Sequence, residues 1–326
     1  MSQTRSIRLE ASSFCQLRCP SCPTTQGLIA DHIGSGFLRF ADFRALLDHN
    51  PDLEHIELSN YGEIFLNPEI YWIVRLADAR GVKLTADNGV NLNNVKEEVL
   101  EAVVRYRFHS MCCSIDGASD ETYRQYRVRG NYDQVIANIE TINRFKKRFH
   151  TPYPYMKWQF VIFGHNEHEI EIARAKAAEL GMEFYTKLSW DEAVSPVRDK
   201  AAVAKQTGNA AATRSDYEKE AGTDYMNHVC NQLWDLPQIN WNGDVLGCCI
   251  NYWGRFGKNA FEDGLDAAVN SAAMTHARAM LTGQVGERED VPCSTCFVYR
   301  KMKKSGKWLQ RRNARPAQPQ KQAATA

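Results

Sequence analysis

The sequence predicts an α/β fold with a parallel sheet, open or curled into a partial barrel, followed by a small unit built on a β-hairpin. Two observations predict it. Between residues 7 and 190, short β-like runs alternate with amphipathic helical stretches, the pattern of parallel strands joined by right-handed crossovers. Further on, Asn242-Gly243 is the best two-residue hairpin signal in the chain. The β-like runs are 7–11, 55–59, 82–87, 110–115, 157–163 and 183–188. Between them, helical spacing of apolar residues predicts helices over 40–49, 67–80, 96–106, 132–147 and 168–180. In the last of these, Ile170, Ala173, Ala177 and Leu180 share one face and Gly181 supplies the stop. Residues 191–224 have few large apolar side chains and read as a linker or lid with patches of helix. Runs 238–241 and 245–248 flank the hairpin signal, and a helix over 267–281 precedes Cys293-Ser-Thr-Cys296.

Bulk properties narrow the function. At 44% hydrophobic and 24% charged residues, the chain has the composition of a folded globular protein. No apolar run approaches the ~20 residues of a membrane span, and residues 1–7 lack the apolar region of a secretory signal. Ten cysteines in such a chain argue for metal-binding thiolates in a reducing compartment rather than for disulfides. A cytoplasmic, oxygen-sensitive protein is expected. Residues 300–326 carry nine Lys or Arg and no acid, leaving 31 basic against 39 acidic residues before them. That tail reads as a solvated, frayed segment, and nucleic acid is not expected as a partner.

The chemistry concentrates in Phe14-Cys-Gln-Leu-Arg-Cys-Pro-Ser-Cys22, directly after the first strand run. Cys15, Cys19 and Cys22, spaced C-x3-C-x2-C on one loop, can fold around a small inorganic core. They cannot complete a four-thiolate zinc site alone, and a four-iron cluster held by three thiolates keeps one iron open. The spacing resembles the signature of the radical S-adenosylmethionine (SAM) superfamily. The resemblance implies a [4Fe–4S] cluster whose open iron chelates the amino and carboxylate groups of SAM. One electron then cleaves SAM to methionine and a 5′-deoxyadenosyl radical.

The resemblance extends to other strand ends, where ligands bind in such sheets. Ser59-Asn-Tyr-Gly-Glu63 is similar to the family's Gly-Gly-Glu motif near the SAM amino group, with Tyr61 in place of the first glycine. Gly62 and Glu63 are therefore expected at the cofactor. Asn88-Gly89 resembles the Asn-Gly of family members at the end of the third strand, and Ser114-Ile-Asp116 the Ser-x-Asp at the end of the fourth. Arg127 aligns with an arginine that pairs with the SAM carboxylate or ribose, with Arg124 and Arg129 as close competitors. In one departure, Ser21 stands where the family places an aromatic residue near the adenine.

A second set comprises Cys230, Cys248 and the pair Cys293 and Cys296. On spacing alone, a structural zinc site and an iron–sulfur site are equally open. The spacing resembles the start of the auxiliary-cluster domains called SPASM and Twitch, which implies one auxiliary [4Fe–4S] cluster closed by four cysteines. Cys249, on the opposite face of its strand, reads as a spare. Cys112 and Cys113 read as core thiols, His165 and His168 as loop and cap residues, and Trp234, Trp241, Tyr252 and Trp253 as packing in the small domain.

The resemblance implies a partial (β/α)6 radical SAM core over 5–190, a linker or lid over 191–226, an auxiliary cluster domain over 227–300 and a basic tail over 301–326. It implies an enzyme that abstracts hydrogen from a substrate carbon and draws electrons from a donor such as flavodoxin or ferredoxin. Net oxidation of a small polar or sugar-derived molecule is the first expectation, as in 2-deoxy-scyllo-inosamine dehydrogenase. Maturase-like modification of peptide or protein side chains is the alternative. Many peptide maturases add an N-terminal peptide-binding domain, and a first strand beginning by Ile7 leaves no room for one. A non-catalytic metal-binding interaction module is the remote alternative, and it leaves the Gly-Glu, Ser-x-Asp and Arg127 matches unexplained.

Overall fold

The computed structural model describes residues 4–208 and 211–310. Every expected strand of the core forms: β1 (Ser6–Leu9), β2 (His55–Glu57), β3 (Lys83–Val90), β4 (Ser110–Ser114), β5 (Tyr155–Ile162) and β6 (Glu183–Leu188). All pair in parallel, in the order of the chain. The hairpin strands β7 (Gln238–Ile239) and β8 (Val245–Gly247) do not form a separate sheet. β7 runs parallel to β1, through Arg8↔Gln238 and Leu9↔Ile239, and extends the sheet to the order β6-β5-β4-β3-β2-β1-β7-β8. The sheet is not closed, and the result is a partial barrel.

Apolar periodicity builds the outer layer. Helix Tyr132–Phe149 buries Val135, Ile139, Ile142 and Phe145, and the Asn131 side chain caps its start by accepting from Gln134 N. Helices Phe40–His49, Ile70–Ala79, Glu97–Arg105 and Ile170–Glu179 bury equivalent stripes against the same core. β4 is buried at every position, as expected of a central strand covered on both faces.

Three expectations change, and the patches of helix expected over 191–224 form. Ile239 pairs with Val245, so the hairpin turns through residues 240–244 rather than through two residues. Asn240 donates its N–H to Asp244 O, and Gly243 takes the positive φ of 90° that closes the wider turn. The 191–224 segment contains two capped helices, Lys200–Thr207 and Arg214–Ala221. The helix expected over 267–281 is broken into Leu265–Val269 and Ala272–Leu281, because the Ser271 side chain caps the second piece by accepting from Met274 N. Helix Phe297–Ser305 runs past the point where a frayed tail was expected to begin. Its buried face is Val298, Tyr299 and Met302, and Lys301 pairs with Glu218 and Asp224. The rest of the expected tail, 311–326, lies outside the described residues. Among the described residues, no helix is long and apolar enough to cross a membrane.

The end of β1 is tied down before the cysteine loop begins. Buried Asn67 donates to Ala11 O at 2.8 Å and to Leu38 O at 2.9 Å. Asn67→Ala leaves both carbonyls without this donor. It is expected to cost about 2 kcal/mol, read as a lower urea midpoint at unchanged m-value.

Candidate active site

The carboxyl ends of β1–β6 meet at one cavity of about 180 Å³. Cys15, Cys19 and Cys22 form one side of it. All ten cysteines of the chain are free thiols. Strand ends and the loops after them make up much of the remaining lining, among them Gly62, Asn88, Ser114, Gln159 and Lys187. Burial pushes the Cys15 thiol up to about 12, and the neighbouring Glu63 carboxylate adds to the shift. Burial also raises Cys19, against the opposing pull of the Arg127 guanidinium, whose NH1 lies 3.8 Å from its sulfur.

Gly62 sits in the cavity wall for a backbone reason. A Cβ at this position would lie 2.1 Å from Ser12 O and 2.7 Å from Phe14 O, so the loop after β2 presses directly on the start of the cysteine loop. The glycine was expected at the cofactor. The approach seen is backbone to backbone. Glu63 also lines the cavity, yet its carboxylate accepts from Asn91 N at 2.6 Å and Phe65 N at 3.3 Å.

Asn88 and Gly89 lie in an irregularity of β3 between Ala86 and Val90. Asn88 N donates to Ser59 Oγ, and Asn88 Nδ2 to Asn60 Oδ1 at 3.2 Å. Gly89, at φ 138°, leaves room for the Ser114 hydroxyl, which an added Cβ would meet at 2.6 Å. The buried Glu57 carboxylate holds this bend, accepting from Thr85 Oγ1 at 2.6 Å and Asp87 N at 2.8 Å.

Asp116 is not in the cavity wall. It is wholly buried, accepting Arg127 Nε at 2.7 Å on one oxygen and Val161 N at 2.8 Å on the other. Arg127 is in the wall, aimed by this ion pair and stacked over Tyr126. Neither competing arginine lines the cavity: Arg124 pairs with Asp120 on the surface, and Arg129 takes a positive φ of 69° in the turn that follows.

Several wall residues escaped the sequence reading. Trp190 donates its indole N–H to Ser21 O and brings an aromatic ring to the loop where Ser21 replaces one. Lys187 and Gln159 come from the alternating polar faces of β6 and β5. Period-two alternation could have flagged both, but each read as an ordinary strand residue. Asn60, Tyr61 and Tyr126 bury polar side-chain atoms in the lining, Tyr61 beside Asn60 and Tyr126 beside Ser21.

Cys230, Cys248, Cys293 and Cys296 gather in the second unit, where each thiol is raised chiefly by burial. Cys230 is affected by the charges of Cys296 and Cys293, and Cys248 by that of Cys230. Cys249 is not turned away on a strand face. It lies beyond β8, bonded through its backbone N to Gln232 Oε1 and through its sulfur to Gln232 Nε2. Cys112 and Cys113 are fully buried in β4. His165 bonds to Ser195 Oγ in a loop. Trp234, Trp241 and Trp253 pack on the main core rather than on a core of the small unit alone. Among the described residues, no three His, Cys, Asp or Glu side chains converge as they would on a single metal ion.

Residues 9–174 match the Radical SAM superfamily, just over half of the chain. The chain belongs to the radical SAM superfamily. Residues 230–297 match SPASM, an iron–sulfur cluster-binding domain. Comparison with curated proteins gives no match. Solved structures are similar throughout the radical SAM and SPASM regions. Streptococcus suis SuiB bound to S-adenosylmethionine has a TM-score of 0.64 at 15% identity, over 92% of this chain and 72% of that chain. Native anSMEcpe with bound AdoMet has 0.55 at 14%, over 90% and 87%. BtrN in complex with AdoMet and 2-DOIA has 0.52 at 13%, over 91% and 94%. At these identities the likeness is one of fold.

A radical SAM domain implies a [4Fe–4S] cluster and SAM, and a SPASM domain implies auxiliary iron–sulfur clusters. The donor sets fit. Buried thiols with raised pKa values are costly as thiolates until a metal cation faces them, and two separate groups of such thiols are present.

Two expected outcomes test this geometry. Burial raises Glu10 to about 8, opposed by its bonds from Tyr61 N and Gly62 N, and raises Glu63 to about 7, both from 4.5. The folded state therefore holds more protons than the unfolded chain between about pH 4.5 and 8, and stability falls as pH rises through that window. The melting temperature of the cluster-free protein should drop from about pH 5 to about pH 8, and Glu10→Gln should shrink the drop. Gly62→Ala should lower the urea midpoint by the equivalent of about 1–3 kcal/mol, because two carbonyls must move.

Proposed function

We propose that this radical SAM enzyme abstracts hydrogen from a carbon of a small polar or sugar-derived substrate and oxidises it. The observation that carries the reading is the cavity shared by Cys15, Cys19 and Cys22 and the polar ends of β2–β6. In this reading the three cysteines hold the SAM-binding [4Fe–4S] cluster and leave one iron for SAM. When bound, that cluster supplies the electron that cleaves SAM to methionine and a 5′-deoxyadenosyl radical.

The residues around the cavity would bind and orient. Arg127 offers two parallel donors to the SAM carboxylate, and Asp116 aims it. Gly62 and Glu63 set the loop that meets the amino group. Asn88 and Ser114 offer polar contacts on the sugar side, and Trp190 an aromatic face for the adenine in place of the one absent at Ser21. Cys230, Cys248, Cys293 and Cys296 would hold an auxiliary [4Fe–4S] cluster. Four thiolates leave it no iron for substrate, so electron transfer is the chemistry it can supply to an oxidation.

A cavity of about 180 Å³ favours a small substrate. The second reading, side-chain modification of a peptide, is supported by the likeness to SuiB bound to precursor peptide SuiA, at TM-score 0.63 and 14% identity over 92% of this chain and 71% of that one.

Anaerobic reconstitution with iron and sulfide, then SAM and dithionite, tests the reaction. Wild-type protein should carry about eight irons and form 5′-deoxyadenosine. The triple variant Cys15→Ala, Cys19→Ala, Cys22→Ala should keep about half the iron and form none. Cleavage at the wild-type rate in that variant would sink the reading. Deuterium in the 5′-deoxyadenosine from labelled polyols or labelled peptides decides between the two substrate classes.

A further inference from the structure

The cavity contains a cation that the cofactor residues do not use. Lys187, near the end of β6, reaches the cavity lining. Among the described residues its Nζ has one hydrogen bond, a long one of 3.4 Å to the neutral oxygen Gln159 Oε1. Among the described residues, no carboxylate lies within ion-pair distance of it. The carboxylates nearest the cavity are engaged elsewhere: Asp116 with Arg127 and Val161 N, Glu63 with Asn91 N.

The surroundings offer donors rather than acceptors. Gln159 Oε1 already receives Tyr185 Oη at 3.0 Å as well as Lys187, which turns Gln159 Nε2 toward Ser114. A second cation stands behind Lys187. Arg214, at the start of the lid helix, donates to Leu188 O and stacks on Tyr225, and its charge opposes that of Lys187. Burial is the larger cost, with partial relief from Cys112, Cys249 and Asp116. A desolvated ammonium without a counter-charge is unfavourable, and an oxyanion arriving in the cavity removes that penalty.

We propose that Lys187 is the substrate-anion site of this cavity, taking a carboxylate or phosphate oxygen of the substrate while Gln159 donates beside it. The proposal rests on the radical SAM reading of the cavity and narrows its substrate to an acid or a phosphate ester. It places the anionic end of the substrate on β6.

The test titrates the full, reconstituted chain with inorganic phosphate and, separately, with acetate, using acetamide as the neutral control. Trp190 shares the wall with Lys187, so tryptophan emission reports the binding. Wild-type protein should show a saturable change with one or both anions and none with acetamide. Lys187→Gln should weaken that binding by about tenfold or more, the scale of one charged hydrogen bond, and Lys187→Arg should largely restore it. Saturation by phosphate alone assigns a phosphate ester, and saturation by acetate a carboxylate. No saturable change in the wild type, or equal titration of wild type and Lys187→Gln in folded protein, would overturn the proposal. The emission readout needs no turnover, so this proposal and the reaction proposed above fail separately.

Discussion

The site depends on the contact of two loops at Gly62. The segment after β2 and the segment after β1 come together so closely that no side chain fits between them, with Ser12 O and Phe14 O occupying the place of a Cβ. Hydrogen bonds lock the contact from both sides. Glu63 N donates to Phe14 O at 2.8 Å, Thr24 Oγ1 donates to Tyr61 O at 2.7 Å, and the buried Glu10 carboxyl receives Tyr61 N and Gly62 N. The cysteine loop is irregular backbone, and without this clamp its three thiols would have no fixed spacing. From the clamp, order spreads to the next strand. Glu63 holds Asn91 N, and Asn91 Oδ1 receives Gln16 Nε2 beside Cys15. Asn93 then reaches Tyr123 Oη and Asn131 N near the helices that follow β4. Buried polar networks of this kind specify one arrangement only when nearly every member is satisfied, as these are.

That network explains what could and could not be read from the sequence. Strands β1–β6 and their helices were legible because parallel strands are apolar runs and the helices between them carry apolar stripes, as with Val135, Ile139, Ile142 and Phe145. The cysteine loop was legible because metal spacing is local. Roles that depend on which way a side chain turns were not. Gly62 and Glu63 lie where the motif places them, but one serves a backbone contact and the other accepts backbone N–H groups. Asp116 belongs to the right strand end, yet it is spent on aiming Arg127. Trp190 could not be anticipated, since it is 169 residues from the Ser21 carbonyl it bonds.

The hairpin shows the same limit at the level of topology. Asn242-Gly243 marked a turn, but nothing local says that β7 will continue the core sheet beside β1. That pairing is long-range. It is stabilised by Arg8, whose guanidinium bonds Gln238 Oε1 at 2.9 Å on β7 and Ser59 O at 2.9 Å beyond β2. A buried arginine bridging three strands fixes the second cysteine unit to the strand ends that carry the first. The two units therefore share one sheet.

Tyr61 completes this joint and gives a physical reason for the departure from the Gly-Gly-Glu pattern. Its backbone N–H groups with Glu10 in the clamp, while its ring packs with Ile29, Ile33 and Leu246, the last of these on β8 and two residues before Cys248. A glycine here would leave a cavity where core and auxiliary unit meet, and a buried aromatic ring fills it. Its hydroxyl is buried and strongly disfavoured as a phenolate, first by burial and then by the nearby charges of Cys248 and Cys249. The same side chain lines the cavity of Cys15, Cys19 and Cys22. One residue thus lines the first cysteine cavity and packs on the strand that leads to Cys248. Their relative position follows from side-chain contact and shared strand pairing rather than from a flexible tether.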